Sequence, residues 1–226
     1  MPIKFIIDTN AYLHDATVGY YHQDYMGYDH PDNPQFLLTL KNTFANTNNR
    51  LLAAAQAEVV KILLSDIPEI MKENKINSCI CVCVPRAKAS QKYSKTQLMF
   101  KEAVCEAVAQ LVGVADGTDC IERTIDTCTT HLAKATEEGR LSIDNSGSKP
   151  YPGITIETCS INATRFRGQN VILIDDIYTK TVNIDEDCIQ ALYQNGAKKV
   201  IFYAIGKTRR DGSGLMHLTN DDDMPF

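Results

Sequence analysis

The sequence predicts an α/β fold, a parallel twisted sheet flanked by helices. Two observations carry this. Nearly unbroken apolar runs at 78–84, 170–175 and 199–205 have the character of strands buried on both faces. Helix-length periodic stretches lie between them. Such alternation leads to right-handed crossovers and a parallel sheet. The chain of 226 residues suits one domain or one domain with an appendage.

In order along the chain, residues 3–7 form a short apolar run, read as either an edge strand or a packed arm. Residues 8–35 are rich in Tyr, His, Asp and Pro and lack a helical period, so they read as irregular. A strong helix spans Leu51 to Leu64, and Pro68 suits the first turn of a second, short helix. Strand 78–84 ends at Pro85. A polar loop leads to a helix over 95–112, opened by a capping box of Ser94 and Gln97 and closed near Gly113. Residues 118–140 hold a short strand around Ile121 and a helix containing His131. The stretch 141–153 carries Asn145, Ser146, Gly147, Ser148, Pro150, Pro152 and Gly153, the composition of a flexible loop. Strands follow at 154–161 and 170–175, then a helix at 184–194 closed by Gly196, and a strand at 199–205. The tail at 221–226 reads as disordered. The organisation expected is an N-terminal helical or irregular extension packed on the core (1–77), the core (78–208) and a flexible C-terminal tail (209–226).

Composition excludes several function classes. Apolar residues at 44% and charged residues at 23% exclude disorder and collagen-like structure. A net charge of −5 argues against non-specific wrapping of duplex DNA. No apolar run approaches the ~18–20 residues that span a bilayer. Asp8 interrupts the N-terminal apolar run, so no signal-peptide core forms and a cytoplasmic location is expected. The 8 cysteines include no C-x-x-C pair. Cys79, Cys81 and Cys83 alternate along one strand as small apolar residues, so neither a zinc site nor disulfides are expected.

Ligands of parallel sheets bind beyond the C-terminal strand ends, which directs attention to the loops after Val84, Asp175 and Ile205. The run 171–174 delivers two adjacent carboxylates, Asp175 and Asp176, to such an end. A polar loop then enters a helix, with Asn183 a candidate N-cap. Backbone N–H groups and the positive end of a helix dipole suit a phosphate. Carboxylates accept hydrogen bonds from vicinal hydroxyls. Together they suggest a sugar phosphate. Five basic residues (Arg86, Lys88, Lys92, Lys95 and Lys101) and no acid lie between Pro85 and Lys101, a pattern suited to a polyanion.

The stretch from Asp175 to Asn183 resembles the phosphoribosyl-pyrophosphate (PRPP) motif of type I phosphoribosyltransferases. Asp175, Asp176, Ile177 and Thr179 match that motif. Lys180 replaces its second Thr, Thr181 its Gly, and Asn183 its last Thr. The helix after Cys188, then Gly196 and Ala197 and the next strand, is also similar to the family. The loop from Pro85 to Lys88 resembles the pyrophosphate loop of ComF-type, amidophosphoribosyltransferase-like members, without the N-terminal zinc module that usually opens them. A third, weaker likeness covers Glu122, Arg123, Thr124, Thr127, Thr130 and His131, then Glu138, Gly139 and Arg140, in the rough layout of the segment before the family's hood loop.

The resemblance implies displacement of pyrophosphate from C1 of PRPP by a nitrogen nucleophile. Asp175 and Asp176 would hold the ribose hydroxyls as catalytic residues. Thr179, Lys180, Thr181, Val182 and Asn183 would bind the 5′-phosphate. Pro85, Arg86, Ala87 and Lys88 would bind pyrophosphate. Mg2+ is the implied cofactor, held mainly by PRPP and water with Asp175 a candidate ligand. Loop 141–153 could close over the site, and Tyr151 or Phe202 could stack on a base. A homo-oligomer or protein partner stays open.

Two alternatives stand beside this. A non-catalytic PRPP or nucleotide sensor on the same fold would account for the altered loop. A metal-dependent nuclease of PIN type would use Asp8, since the run from Phe5 to Leu13 resembles the opening of those enzymes.

Overall fold

The computed structural model describes residues 1–27, 30–41, 48–127, 153–180 and 182–209. In chain order the elements are β1 (Ile3–Ile7), β2 (Thr17–Tyr25), α1 (Gln35–Leu40), α2 (Asn49–Glu73), β3 (Cys79–Cys83), α3 (Met99–Val108), β4 (Val114–Asp116), β5 (Ile121–Arg123), β6 (Cys159–Ile161), β7 (Asn170–Tyr178), α4 (Ile184–Gln194) and β8 (Lys199–Thr208). Strands β1-β2-β8-β7-β3-β4 form one six-stranded sheet, and β5 and β6 pair separately. The five neighbours from β2 to β4 run parallel, while β1 folds back antiparallel on β2. The fold is therefore α/β, with a mixed sheet flanked by helices.

Strand alternation feeds two cores. Tyr20, Cys81, Cys83, Ile172, Ile174, Ile201 and Tyr203 pack with α1, α2 and α3 on one face. Ile80, Val82, Val171, Leu173, Phe202 and Ala204 pack with α4 and the β5–β6 pair on the other. The runs in β3, β7 and β8 are apolar on both sides because both faces are covered. Cys79, Cys81 and Cys83 are buried free thiols.

The N-terminal segment departs from the sequence reading. Residues 17–25, expected to be irregular, form β2 and pair with β8 from Gly19–Phe202 to Tyr25–Thr208. Polar residues are tolerated there because β1 covers only part of the outer edge of β2. The first 77 residues thus supply two of the six sheet strands and the longest helix. The expected break at Pro68 is absent: α2 runs through it as one helix. Proline costs the helix a backbone bond, but Leu63, Ile67, Ile70 and Met71 on either side are buried and hold it on the sheet. Asp66 of α2 adds a polar anchor. One of its oxygens accepts from the Tyr203 hydroxyl and contacts His22 Nδ1, both at 2.8 Å.

Further boundaries shift. The helix expected over 95–112 opens as a short 3-10 turn at 95–97, with the Ser94 N–H donating to Gln97 Oε1 at 2.9 Å, before α3 begins. The expected strand 154–161 is a strand only at 159–161, because Thr158 and Cys159 turn back to the Thr155 carbonyl. Strand β7 continues past Asp175 to Tyr178, and β8 to Thr208. Helix α4 has the expected bounds and ends at Gly196, whose φ of +94° closes the turn. His131, Tyr151, most of loop 141–153 and the tail at 221–226 lie outside the described residues. No helix among the described residues is long and apolar enough to cross a membrane.

Candidate functional site

Strands β3 and β7 are adjacent and parallel, so their C-terminal ends deliver their following segments side by side. The Val84 N–H donates to the Ile174 carbonyl at 3.0 Å, at the boundary between strand and loop. Pro85 to Lys88 and Asp175 to Asn183 therefore leave neighbouring strands in the same direction. This is where ligands of parallel sheets bind.

Asp175 and Asp176 lie within β7, which runs past the strand end expected at 175. Continued pairing with β8 holds them there. Both are half-buried. The Asp176 N–H donates to Asp175 Oδ1 at 2.8 Å, and the Ile177 N–H to Asp176 Oδ1 at 2.7 Å. The two side chains take different partners. Asp176 meets Lys41, just beyond α1, at 3.3 Å. Asp175 keeps its backbone donor, and the electrostatic influence of Asp185, in the first turn of α4, reaches it.

Burial, then the charge of Asp176, pushes the Asp175 carboxyl up to about 7, against the pull of Lys41. Asp185 is 1% exposed, and burial and Asp175 hold its proton affinity well above the carboxylate range. Burial also raises Glu186, whose Oε1 accepts from the Tyr178 hydroxyl at 2.8 Å. Burial lowers the proton affinity of Lys41, but Asp176 and Asp175 more than offset this and leave it raised. The sequence reading missed Lys41, Asp185 and Glu186. Asp185, Glu186 and Asp187 stand out as three consecutive acids opening a helix. Acids there are ordinary complements of the helix dipole, so the run alone did not mark burial.

The segment from Thr179 to Asn183, expected to bind phosphate, is knitted to its surroundings. Thr179 and Thr208 hydroxyls meet at 2.6 Å. Lys180 pairs with Asp8 at 3.1 Å. Asn183 occupies the N-cap place with a left-handed φ of 60°, and its Oδ1 accepts from Asn10 at 3.1 Å. It caps by position rather than through a side-chain bond to the helix. Val182 is half-buried and its N–H donates to the Thr179 carbonyl at 3.0 Å. Thr181 lies outside the described residues. Asp8 is engaged by a lysine, and the described residues contain no cluster of three metal-ligating side chains.

The basic loop also differs from the expected open polyanion surface. No acid lies within it, but acids from elsewhere reach it. Asp126 contacts Lys92, and Glu122 lies 3.6 Å from Lys101. The Arg86 guanidinium stacks 4.3 Å from the Tyr93 ring centroid and donates to the Gln97 carbonyl. Arg123 Nε donates to the Arg86 carbonyl at 3.2 Å, and the Thr127 N–H to the Ala87 carbonyl at 2.8 Å. Arg86 and Arg123 thus shape the loop. The Lys88 N–H donates to the Tyr93 hydroxyl at 3.0 Å, but its ammonium is buried without a hydrogen-bond partner in a residue 9% exposed. A buried, unpaired cation is costly unless an anion meets it. Pro85 carries the chain out of β3 and is half-buried.

Phe202 cannot stack on a bound base. It is 0% exposed and packed edge-on against Tyr178, with ring centroids 5.4 Å apart. A protein-held Mg2+ at this strand end would have to compete with Lys41, which already pairs with Asp176 at 3.3 Å.

Chemically, these neighbouring strands offer carboxyls near the end of β7 and, in the segment after β3, a buried ammonium without a hydrogen-bond partner. Against models of protein families the chain matches none, and a search of curated proteins likewise returns no match.

Proposed function

We propose that this chain binds PRPP and transfers its phosphoribosyl group to a nitrogen nucleophile, releasing pyrophosphate. The observation that carries the proposal is the adjacency of β3 and β7: the segment after β3 carries the Lys88 ammonium, buried with no hydrogen-bond partner, and the end of β7 carries Asp175 and Asp176. A ligand with an anionic leaving group at one end and vicinal hydroxyls at the other matches that pair of surfaces. In the transfer, the nucleophile's nitrogen bonds to C1 as the C1–O bond to pyrophosphate breaks. Lys88 would neutralise charge developing on the leaving group. Asp175 and Asp176 would orient the ribose. Mg2+ carried by the pyrophosphate would add charge neutralisation.

A second reading, a PRPP-binding regulator without turnover, is favoured by one specific feature. The segment expected to cradle the 5′-phosphate is tied down by the contacts Thr179–Thr208, Lys180–Asp8 and Asn183–Asn10. Thermal unfolding with PRPP and Mg2+ tests both readings. Stabilisation that is lost in Asp175→Asn/Asp176→Asn supports ligand binding, and no shift at millimolar PRPP overturns it. Pyrophosphate release with ammonia as the nucleophile then supports the transferase. Binding without release supports the regulator.

A further inference from the structure

Around the loop after β3, two cationic side chains each carry a buried nitrogen without an acceptor, Lys88 Nζ and Arg123 Nη2. Arg123 lies on β5 and is 4% exposed. Its guanidinium is held at two corners. Nε donates to the Arg86 carbonyl at 3.2 Å and Nη1 to the Gly153 carbonyl at 2.6 Å. A guanidinium is planar and rigid, so two fixed corners fix the third. Both acceptors are neutral, so these bonds orient the charge without cancelling it. The residues after Arg123 run along the same loop. The Thr127 N–H donates to the Ala87 carbonyl at 2.8 Å, and the Ala89 N–H to Asp126 Oδ1 at 3.0 Å. Lys88 sits between those two anchored residues. Acids in this region are engaged elsewhere. Asp126 contacts Lys92, and Asp187, within electrostatic reach of Arg123, accepts from the Ile154 N–H at 2.8 Å.

We infer that Arg123 is a second anion-binding residue of this loop, acting with Lys88 on a phosphate group that carries two or more negative charges. Buried cations without counter-charges are costly, so two of them call for two negative charges. A carboxylate or a halide brings only one. The oxygens of a phosphate also suit one guanidinium corner and one ammonium, each a charge-assisted donor. These nitrogens lose their water when the chain folds, before any ligand arrives. An anion that reaches them therefore meets preoriented donors in a weakly screened place. Arg123 in this way joins loop shape to binding, since the side chain that holds the Arg86 carbonyl also supplies a donor. For the class of ligand, this inference rests on the pyrophosphate role proposed above for Lys88, and it adds a residue from outside the loop.

Calorimetric titration with inorganic pyrophosphate alone, at several salt concentrations, tests the assignment. The wild-type chain is expected to bind, and Arg123→Gln to lower the affinity about tenfold or more. A loop merely misshapen by the substitution would bind more weakly with its salt dependence intact. Loss of a charge from the site should instead make affinity fall less steeply with salt, as it should in Lys88→Met. Wild-type affinity in Arg123→Gln overturns the inference, and so does a weaker affinity with the wild-type salt dependence. Failure of the wild-type chain to bind pyrophosphate overturns it as well. If Arg123→Gln does not fold, competition on the wild-type chain decides. Sulfate should displace pyrophosphate and nitrate at matched ionic strength should not, and equal displacement by both overturns the inference. Pyrophosphate binding that depends on Arg123, without stabilisation by PRPP, supports this site and rejects the transferase. PRPP stabilisation unchanged in Arg123→Gln rejects this site and leaves the transferase standing.

Discussion

The Lys41 ammonium stands 3.3 Å from an oxygen of Asp176, although 135 residues separate them in the chain. Asp175, one residue earlier, accepts from the Asp176 N–H at 2.8 Å instead. Two acids adjacent in sequence are thereby given different partners, one a backbone N–H and the other a lysine from beyond α1. Replacing Lys41 by Met removes the opposing cation and should raise the pH at which Asp175 ionises. Because Lys41 is partly exposed, the stability cost should be small, about 0.5 kcal/mol. Carbon-13 titration and urea unfolding read the two effects separately.

Asp175 also gives a defined pH dependence. Its folded carboxyl titrates at about 7 against an ordinary 3.8. The folded state binds this proton more tightly than the unfolded chain, so stability should fall as pH rises from about 4 through 7. Asp175→Asn cannot ionise and should flatten that part of the profile. Urea midpoints at acid, neutral and mildly alkaline pH supply the measurement. A wild-type curve rising across the same window would contradict the assignment.

Arg86 and Lys88 should separate cleanly. Lys88→Met keeps the buried stem and removes an unpaired ammonium, so thermal stability should hold or improve while pyrophosphate affinity drops about tenfold or more. Arg86→Ala removes the stack on Tyr93 and the bond to the Gln97 carbonyl, and should cost about 1–2 kcal/mol through the loop itself. Calorimetry with pyrophosphate and unfolding of the same variants compare them. Equal losses of affinity and stability in both would reject this division.

Asp66 offers a test of the sheet–helix joint. Asp66→Ala strands His22 and the Tyr203 hydroxyl and should cost about 3 kcal/mol or more. Tyr203→Phe removes one neutral donor and should cost about 1–2 kcal/mol. A cycle of single and double variants measures how much of the loss is shared.

Much of the scaffold was legible because its signals are local. The apolar runs of β3, β7 and β8, the helical period of 51–64 and the turn at Gly196 each reside in a few consecutive residues. β2 was not, because Tyr20 and Tyr21 sit among His22, Gln23 and Asp24, and only pairing with a strand far along the chain makes such a sequence extended. Pro68 misled for the opposite reason: a strong local breaker was outvoted by buried neighbours on both sides. At the site, Asp175, Asp176 and Lys88 were visible as chemistry at strand ends, whereas Lys41 and Asp185 acquire meaning only by arriving from other helices. The acid-free basic loop looked open because Asp126 and Glu122 approach it from outside its own segment.

The position of β2 constrains the order of assembly. Its partner β8 is the last strand of the sheet, and Gly19 pairs with Phe202. During synthesis from the N-terminus, the β1–β2 hairpin waits for nearly the whole chain before its inner edge is covered. Contacts this distant in sequence slow folding and leave intermediates with an exposed strand edge. Removing the first 77 residues would therefore uncover β8 rather than release a self-sufficient domain.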